Sequence, residues 1–157
     1  LTGYRFLTTW LIESSRDDVW GVLRDPVRWP DWWRGVVRVS ELDPGDERQV
    51  GSRYRVAWRS RIPYELEFVF TVSKVDPPCC MEGDAVGDLD GHGRWLLFER
   101  DGVTAVVYDW QVGTTKRWMN ALAPVARPVF DHNHDVVMRW GGEGLARRLG
   151  VRLLAAG

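Results

Sequence analysis

The chain has 157 residues, of which 45% are hydrophobic and 27% are charged, and its 21 Lys and Arg residues nearly balance its 22 Asp and Glu residues. This composition is that of an ordinary globular domain and argues against a disordered chain. The near-neutral charge indicates no surface for nucleic acid, and no stretch approaches the roughly 18 apolar residues of a membrane span. At this length we expect a single domain over residues 1–157, large enough to enclose a cavity. The unusual count is tryptophan, with 10 residues.

The two cysteines, Cys79 and Cys80, are neighbours in the sequence. Adjacent cysteines rarely reach disulfide geometry with each other, so no disulfide scaffold is expected. The first residues lack a basic segment followed by an apolar run and a small-residue cleavage site, which together form a secretory signal. We therefore expect the protein in the cytoplasm.

The first part of the chain predicts one strand and then two short helical segments. Residues 4–13 alternate between two faces, as a strand does. Ser14 or Ser15 can cap the helix of about ten residues that follows. Pro26 and Pro30 then indicate a second short helix or a turn.

The middle of the chain predicts six further strands, which makes seven in all. They lie at residues 35–42, 52–60, 65–75, 80–86, 94–100 and 104–112. The clearest alternation is in residues 65–75, where Phe68 and Phe70 share one face. Short polar turns separate these runs, and His92 lies in one of them, DLDGHG, where we expect it to be solvated. Antiparallel strands joined in this way form a meander.

From about residue 116 the apolar period changes from 2 to 3.6, which predicts a long helix ending near residue 149. We expect one stripe to face inward: Trp118, Leu122, Val125, Val129, His132, Val136 and Trp140. Pro124 and Pro128 each remove a helical hydrogen bond and should kink or break the helix. A second stripe appears beyond the kink: Phe130, His134, Met138, Gly141, Leu145 and Leu149. Because a kink rotates the phase, periodicity leaves open whether His132 or His134 points inward.

Three glycines in the second half of this helix either permit close packing against the sheet or mark the helix end: Gly141, Gly142 and Gly144.

Two segments carry a resemblance to a known superfamily. IESSRDDVWGVLRDPVRWPDWW resembles the entry into the first two helices of the helix-grip (SRPBCC) superfamily, and FDHNHDVVMRWGGEGLARRL is similar to the C-terminal helix of bacterial cyclase-like members. This superfamily includes START lipid-transfer domains, pollen-allergen-like binders and polyketide cyclase/dehydrase families. The resemblance implies an α+β fold in which a seven-stranded curved antiparallel sheet surrounds a long C-terminal helix. Members bind lipids, plant hormones, flavonoids or polyketide intermediates, so fold alone does not decide the activity.

A bent sheet gripping one helix leaves a cavity lined by inward-facing side chains. From the sheet we expect Trp58, Phe68, Phe70, Tyr108 and Trp110 in its wall. From the helix we expect Trp118, Leu122 and Val125, with His132 and Asn133 in contact with the ligand. Such a lining suits a planar, mostly apolar molecule with a few oxygens. The competing interpretation is that the aromatic side chains simply fill the core.

The segment from Asp131 to Asp135 is the densest group of candidate catalytic residues. His132 and His134 point about 200° apart on a helix, so together they predict no metal site. Asp131 can orient His134, or Asp135 can orient His132, for proton transfer. No phosphate loop, dinucleotide fingerprint or catalytic triad occurs, so no cofactor is expected.

Four arginines, Arg53, Arg55, Arg59 and Arg61, alternate along a predicted strand. Glu65 and Glu67 follow on the next strand, so we expect a charge-paired outer face rather than an anion site.

These patterns support three functional hypotheses. The first is a carrier or binder of a small hydrophobic molecule, which enters near the short helices and residues 61–64. The alternative is a polyketide cyclase/dehydrase-type enzyme acting in the same cavity, with Tyr108 and a helix histidine as acid or base. The third is a module whose groove receives a peptide. The sequence indicates no particular oligomeric state.

Overall fold

The computed structural model describes residues 2–157. These residues form eight strands and four α-helices. Each pair of neighbouring strands runs antiparallel. The strands are β1 Thr2–Ile12, β2 Val36–Asp43, β3 Arg53–Arg59, β4 Glu65–Asp76, β5 Cys80–Gly87, β6 Leu89–Arg100, β7 Val103–Thr114 and β8 Leu153–Ala156. The helices are α1 Arg16–Leu23, α2 Trp29–Trp32, α3 Arg117–Ala121 and α4 Ala123–Leu149, and a 3₁₀ turn, Pro26–Arg28, precedes α2.

The strands form one curved sheet in the order β2-β3-β4-β5-β6-β7-β1-β8. Strands β2 to β7 make the expected meander, and β1 then pairs with β7 along its whole length. This pairing sets Phe6 opposite Trp110 and Tyr4 opposite Val112. The α+β helix-grip fold is confirmed, with the long helix lying across the concave side of the sheet.

The expected count of seven strands is wrong, because β8 adds an eighth. Gly150 ends α4 in the left-handed region, with φ of 66°, and the chain turns back to the free edge of β1. There Trp10 lies opposite Ala156. The sequence of β8 is only LLAA, which has no polar and apolar alternation to reveal a strand.

Strand β6 begins five residues earlier than expected, so DLDGHG lies in a strand except for Asp88, which forms the bend between β5 and β6. The glycines that indicated a turn are present for packing, because a Cβ on Gly93 would lie 2.7 Å from the Trp110 ring. His92 accordingly sits within β6, with its Nδ1 2.9 Å from the Asp84 carboxylate. It is a surface histidine in a strand, not at a hairpin tip.

The first helix has the expected cap. The Ser15 Oγ accepts a hydrogen bond from the Asp18 amide at 3.2 Å, and Val19, Trp20 and Leu23 are buried. The second helical segment is the 3₁₀ turn followed by the one-turn helix α2. Its tryptophans are buried under the long helix, so α1 and α2 close one end of the sheet.

The C-terminal helix breaks at Leu122, which separates α3 from α4. Pro124 lies in the first turn of α4, where its missing N–H is tolerated, and Pro128 lies inside the helix. The expected inward stripe is wrong at Leu122, Val125 and His132. Leu122 and Val125 are 53% and 79% exposed, and His132 is exposed as well. The second stripe faces inward, with His134, Met138 and Leu145 buried.

The glycines of α4 explain this orientation. A Cβ on Gly141 would lie 2.7 Å from the rings of Trp10 and Trp33, and one on Gly144 would overlap the Trp32 carbonyl oxygen. These glycines are therefore present for close packing and do not end the helix. Their contacts hold the Gly141 side of α4 against the interior, which leaves the Val125 side facing solvent.

Tryptophans fill the half of the interior beneath α1, α2 and the end of α4. Trp33 is fully buried, and its Nε1 donates to the Val137 carbonyl at 2.8 Å. Its ring contacts five other indoles: Trp10, Trp29, Trp32, Trp58 and Trp95. For this half of the molecule the core interpretation of the aromatic residues is the correct one. The other half, beneath α3 and the start of α4, is not filled.

Candidate functional site

A cavity of about 200 Å³ lies between the concave face of the sheet and the helices α3 and α4. Its walls are almost entirely apolar. The sheet side is lined by Tyr4, Phe6, Trp58, Leu66, Leu89, Trp110, Val112 and Thr114. The helix side is lined by Trp118, Met119, Ala126, Val129, Phe130, Asn133, His134 and Val137. The remaining lining residues, Arg59, Ser60, Ile62 and Tyr64, belong to β3 and the β3–β4 loop.

The exposed members of this lining mark the opening of the cavity. Arg59 and Ile62 are exposed on the loop side, and Trp118 and Val129 are exposed on the helix side. The Tyr64 and Trp118 rings meet edge to face, with centroids 5.6 Å apart, so the loop and α3 touch across this edge. The opening thus lies beside residues 61–64, as expected, but α1 and α2 do not line it.

His134 is the most distinctive polar group in the cavity wall. Its side chain is 7% exposed, and its ring stacks on Phe6 with centroids 3.9 Å apart and an interplanar angle of 12°. Neither ring nitrogen makes a hydrogen bond to any residue in the described part of the chain. The nearest acid, Asp135, is exposed, and its Oδ1 lies 3.9 Å from Nδ1.

Burial lowers the pKa of His134 from 6.5 to about 4. The ring is therefore neutral near pH 7, with one nitrogen able to donate a hydrogen bond and the other able to accept one. A neutral imidazole in an apolar wall can fix the orientation of a polar group on a bound molecule. As a proton acceptor at pH 7 it is weak, because an efficient base has a pKa near the working pH.

Three further buried polar atoms in the lining make no hydrogen bond to a described residue: the Tyr4 hydroxyl, the Tyr64 hydroxyl and the Trp58 indole N–H. Burial also raises the pKa of Tyr4, so its hydroxyl stays protonated near pH 7. A buried polar group without a partner destabilises a protein by about 1–3 kcal/mol. With His134, four side chains of the cavity wall carry polar atoms that are buried and have no partner within the described residues.

The residues expected to bind the ligand fall into three groups. The main cavity includes Trp58, Trp110, Trp118 and Asn133. A separate inner void of about 20 Å³ is lined by Phe68, Phe70 and Tyr108, together with Trp58 and neighbouring core residues. Neither space includes Leu122, Val125 or His132, because these residues lie on the outer side of the helices.

Tyr108 is therefore not positioned to act with a helix histidine. Its ring stacks on Trp95 with centroids 4.0 Å apart, and complete burial raises its pKa well above 10.0. His134, which lines the main cavity, replaces His132 as the histidine facing inward. The sequence did contain the relevant signal, since His134 belongs to the second apolar stripe. The part of β1 in the wall, Tyr4 and Phe6, was not expected there.

Within residues 2–157, no cluster of three His, Cys, Asp or Glu side chains is arranged to hold a metal ion. Among the helices of that same range, none is long and apolar enough to cross a membrane.

A family model described as "Polyketide cyclase / dehydrase and lipid transport" matches residues 6–156. The chain belongs to this family. The polyketide cyclase/dehydrase family resemblance of the two short segments is thus confirmed across nearly the whole chain. No curated protein matches the sequence.

Solved structures share the fold of this family member at low sequence identity. A START superfamily protein from Mycobacterium smegmatis has a TM-score of 0.75 and 13% identity, over 93% of this chain and 97% of that one. The protein TTHA0849 from Thermus thermophilus has a TM-score of 0.74 and 13% identity, over 94% and 99% of the two chains. The Zhui aromatase/cyclase from Streptomyces sp. R1128 has a TM-score of 0.69 and 14% identity, over 94% and 96%.

These likenesses establish the fold. Family membership also points to hydrophobic-ligand binding or polyketide-cyclase-type chemistry as the class of function.

Proposed function

We propose that this protein binds one small, mostly apolar molecule in the cavity beneath α3 and α4, and that it acts as a binder or carrier. The observation that carries the proposal is the position of His134. Its neutral ring forms part of an apolar wall, and both of its nitrogens lack hydrogen-bond partners in the described chain. The hydroxyls of Tyr4 and Tyr64 and the indole N–H of Trp58 add three further donors to the same wall.

The volume limits the size of the ligand. Apolar cavities of about 150 Å³ accommodate benzene. A cavity of about 200 Å³ that opens to solvent should accept a flat molecule of about two fused rings, with further atoms extending through the opening. Aromatic walls on the sheet side, such as Trp58 and Trp110, favour a planar ligand.

A test of this proposal fills the cavity from the helix side. Ala126 lines the cavity, whereas its neighbour Val125 is 79% exposed and lines neither space. We expect Ala126→Phe to weaken binding of the neutral two-ring probe β-naphthamide at least about tenfold, which corresponds to about 1.4 kcal/mol. Val125→Phe should bind it like the wild type. Isothermal titration calorimetry gives both affinities.

Thermal unfolding of the two variants checks that both remain folded. If Ala126→Phe and the wild type bind the probe with equal affinity, the probe binds outside this cavity. If the wild type binds neither naphthamide nor any member of a flavonoid panel, the proposed function is wrong.

The second candidate function is a cyclase-type enzyme, and its support is that a histidine faces the cavity at all. The pKa of about 4 and the separation of Tyr108 from the main cavity make binding the better-supported function. Turnover of a poly-β-ketone analogue that is lost in His134→Gln, while the analogue still binds, would establish the enzyme instead.

A further inference from the structure

A polar depression of about 450 Å³ adjoins the opening of the apolar cavity. It is lined by Arg34, Val37, Arg59, Ser60, Arg61 and Trp140. Arg59 and Ser60 line both spaces, so the depression adjoins the cavity at this point. Three of its six lining residues are arginines, and none is acidic.

The carboxylates nearest in sequence to the arginines of the depression form ion pairs with other arginines. Arg38 pairs with both Glu65 and Glu67, and Arg55 pairs with Glu67 at 3.6 Å. Of the four arginines in the row, Arg55 makes the expected ion pair. Arg53, Arg59 and Arg61 make none within the described residues, although the pairing of β3 with β4 sets Glu65 opposite Arg59. Within residues 2–157, the arginines of the depression, Arg34, Arg59 and Arg61, make no ion pair.

A backbone hydrogen bond brings Arg34 and Arg59 close together, and the Arg34 side chain packs on an indole ring. The Arg59 amide donates to the Gly35 carbonyl at 2.9 Å, which places the end of β3 beside Arg34. The Arg34 guanidinium lies 4.3 Å from the centre of the Trp140 ring, a cation–π contact. Like charges collected around one depression repel one another, and an anion bound among them relieves that repulsion. Guanidinium groups also match carboxylate and phosphate oxygens in geometry.

We infer that the ligand is an amphipathic anion, whose apolar body occupies the cavity and whose carboxylate or phosphate lies among Arg34, Arg59 and Arg61. This inference rests on the proposed function. It narrows the ligand class from small apolar molecules to aromatic or aliphatic acids and phosphate monoesters. Because the arginines are exposed, the interaction is open to screening by salt.

Three probes with the same two-ring body test the inference: β-naphthamide, β-naphthoate and β-naphthyl phosphate. Calorimetry at low ionic strength should show that at least one anionic probe binds wild type roughly tenfold more tightly than the amide. Preference for naphthoate identifies a carboxylate ligand, and preference for naphthyl phosphate identifies a phosphate monoester. Raising the salt concentration should reduce the preference and leave amide binding unchanged.

The double variant Arg34→Gln/Arg61→Gln should lose the anion preference while binding the amide like the wild type. Arg147→Gln/Arg148→Gln removes the same charge at exposed positions outside both spaces and should keep the preference. If all three probes bind wild type equally, or if the two double variants behave alike, the inference is overturned while the proposed function stands. If no probe binds, the proposed function itself fails.

Discussion

Gly144→Ala should lower the free energy of unfolding by about 3 kcal/mol or more. A Cβ at this position would overlap the backbone carbonyl of Trp32 in α2. Backbone cannot rotate away as a side chain does, so α4 would have to move off α2 and open the tryptophan core. Chemical denaturation of the variant and the wild type measures the difference.

Two other glycines make this prediction specific. Gly142→Ala should cause a smaller loss, because the three atoms nearest to the new methyl belong to the Trp10 side chain, the closest at 2.9 Å, and not to backbone. Gly21→Ala in α1 should be neutral or stabilise by up to about 1 kcal/mol, since a Cβ there meets nothing within 4 Å. If all three variants were equally stable, the packing that sets the orientation of α4 would be wrongly described.

Acidification should destabilise the wild type through His134. Because burial lowers the folded-state pKa from 6.5 to about 4, the unfolded chain binds more protons between these two values. The stability that His134 contributes is therefore fully present above pH 6.5 and is lost as the pH falls toward 4. The difference in unfolding free energy amounts to about 3 kcal/mol.

His134→Gln isolates this effect from the titration of acidic residues. The stability of wild type relative to this variant should fall by about 3 kcal/mol between pH 7 and pH 4, measured by urea unfolding across the range. His132→Gln is the matched control, because His132 lies two residues away on the same helix and is exposed. A parallel pH profile for wild type and His134→Gln would mean that the His134 ring is hydrated rather than buried against Phe6.

The elements with clear local signals were predictable from the sequence. Alternation of polar and apolar residues predicted the positions of strands β1 to β7, although not their exact lengths. The serines predicted the start of α1, and Pro124 predicted the break between α3 and α4. Strand β8 was missed because four residues without alternation carry no periodic signal. The start of β6 was missed because Gly93 reads locally as a turn residue, whereas the fold uses it to admit the Trp110 ring.

The inward face of α4 could not be predicted, and the reason is physical. The helix has two apolar stripes of similar strength, so periodicity alone does not rank them. The choice is made by contacts of Gly141 and Gly144 with Trp33 and Trp32, which lie more than a hundred residues away in the sequence. That choice turns His134 inward and His132 outward, and it decides which side chains line the cavity.

The place of β1 in the cavity wall also depends on pairing between residues that are far apart in the sequence. The sequence places Tyr4 and Phe6 on one face of a strand, but only the pairing of β1 with β7 brings them beside Trp110. Once that pairing is known, the stacking of Phe6 on His134 follows from the position of α4 across the sheet.

Methyl NMR spectroscopy with β-naphthamide tests most directly whether the bound molecule lies in the cavity beneath α3 and α4. We expect ring-current shifts and intermolecular NOEs at Leu66, Met119, Ala126 and Val137, all of which line the cavity. The methyl groups of Leu7, Val86 and Leu154 are exposed elsewhere on the surface and should not respond. NOEs from the probe to those exposed methyl groups, with none to the cavity, would contradict the proposed binding site.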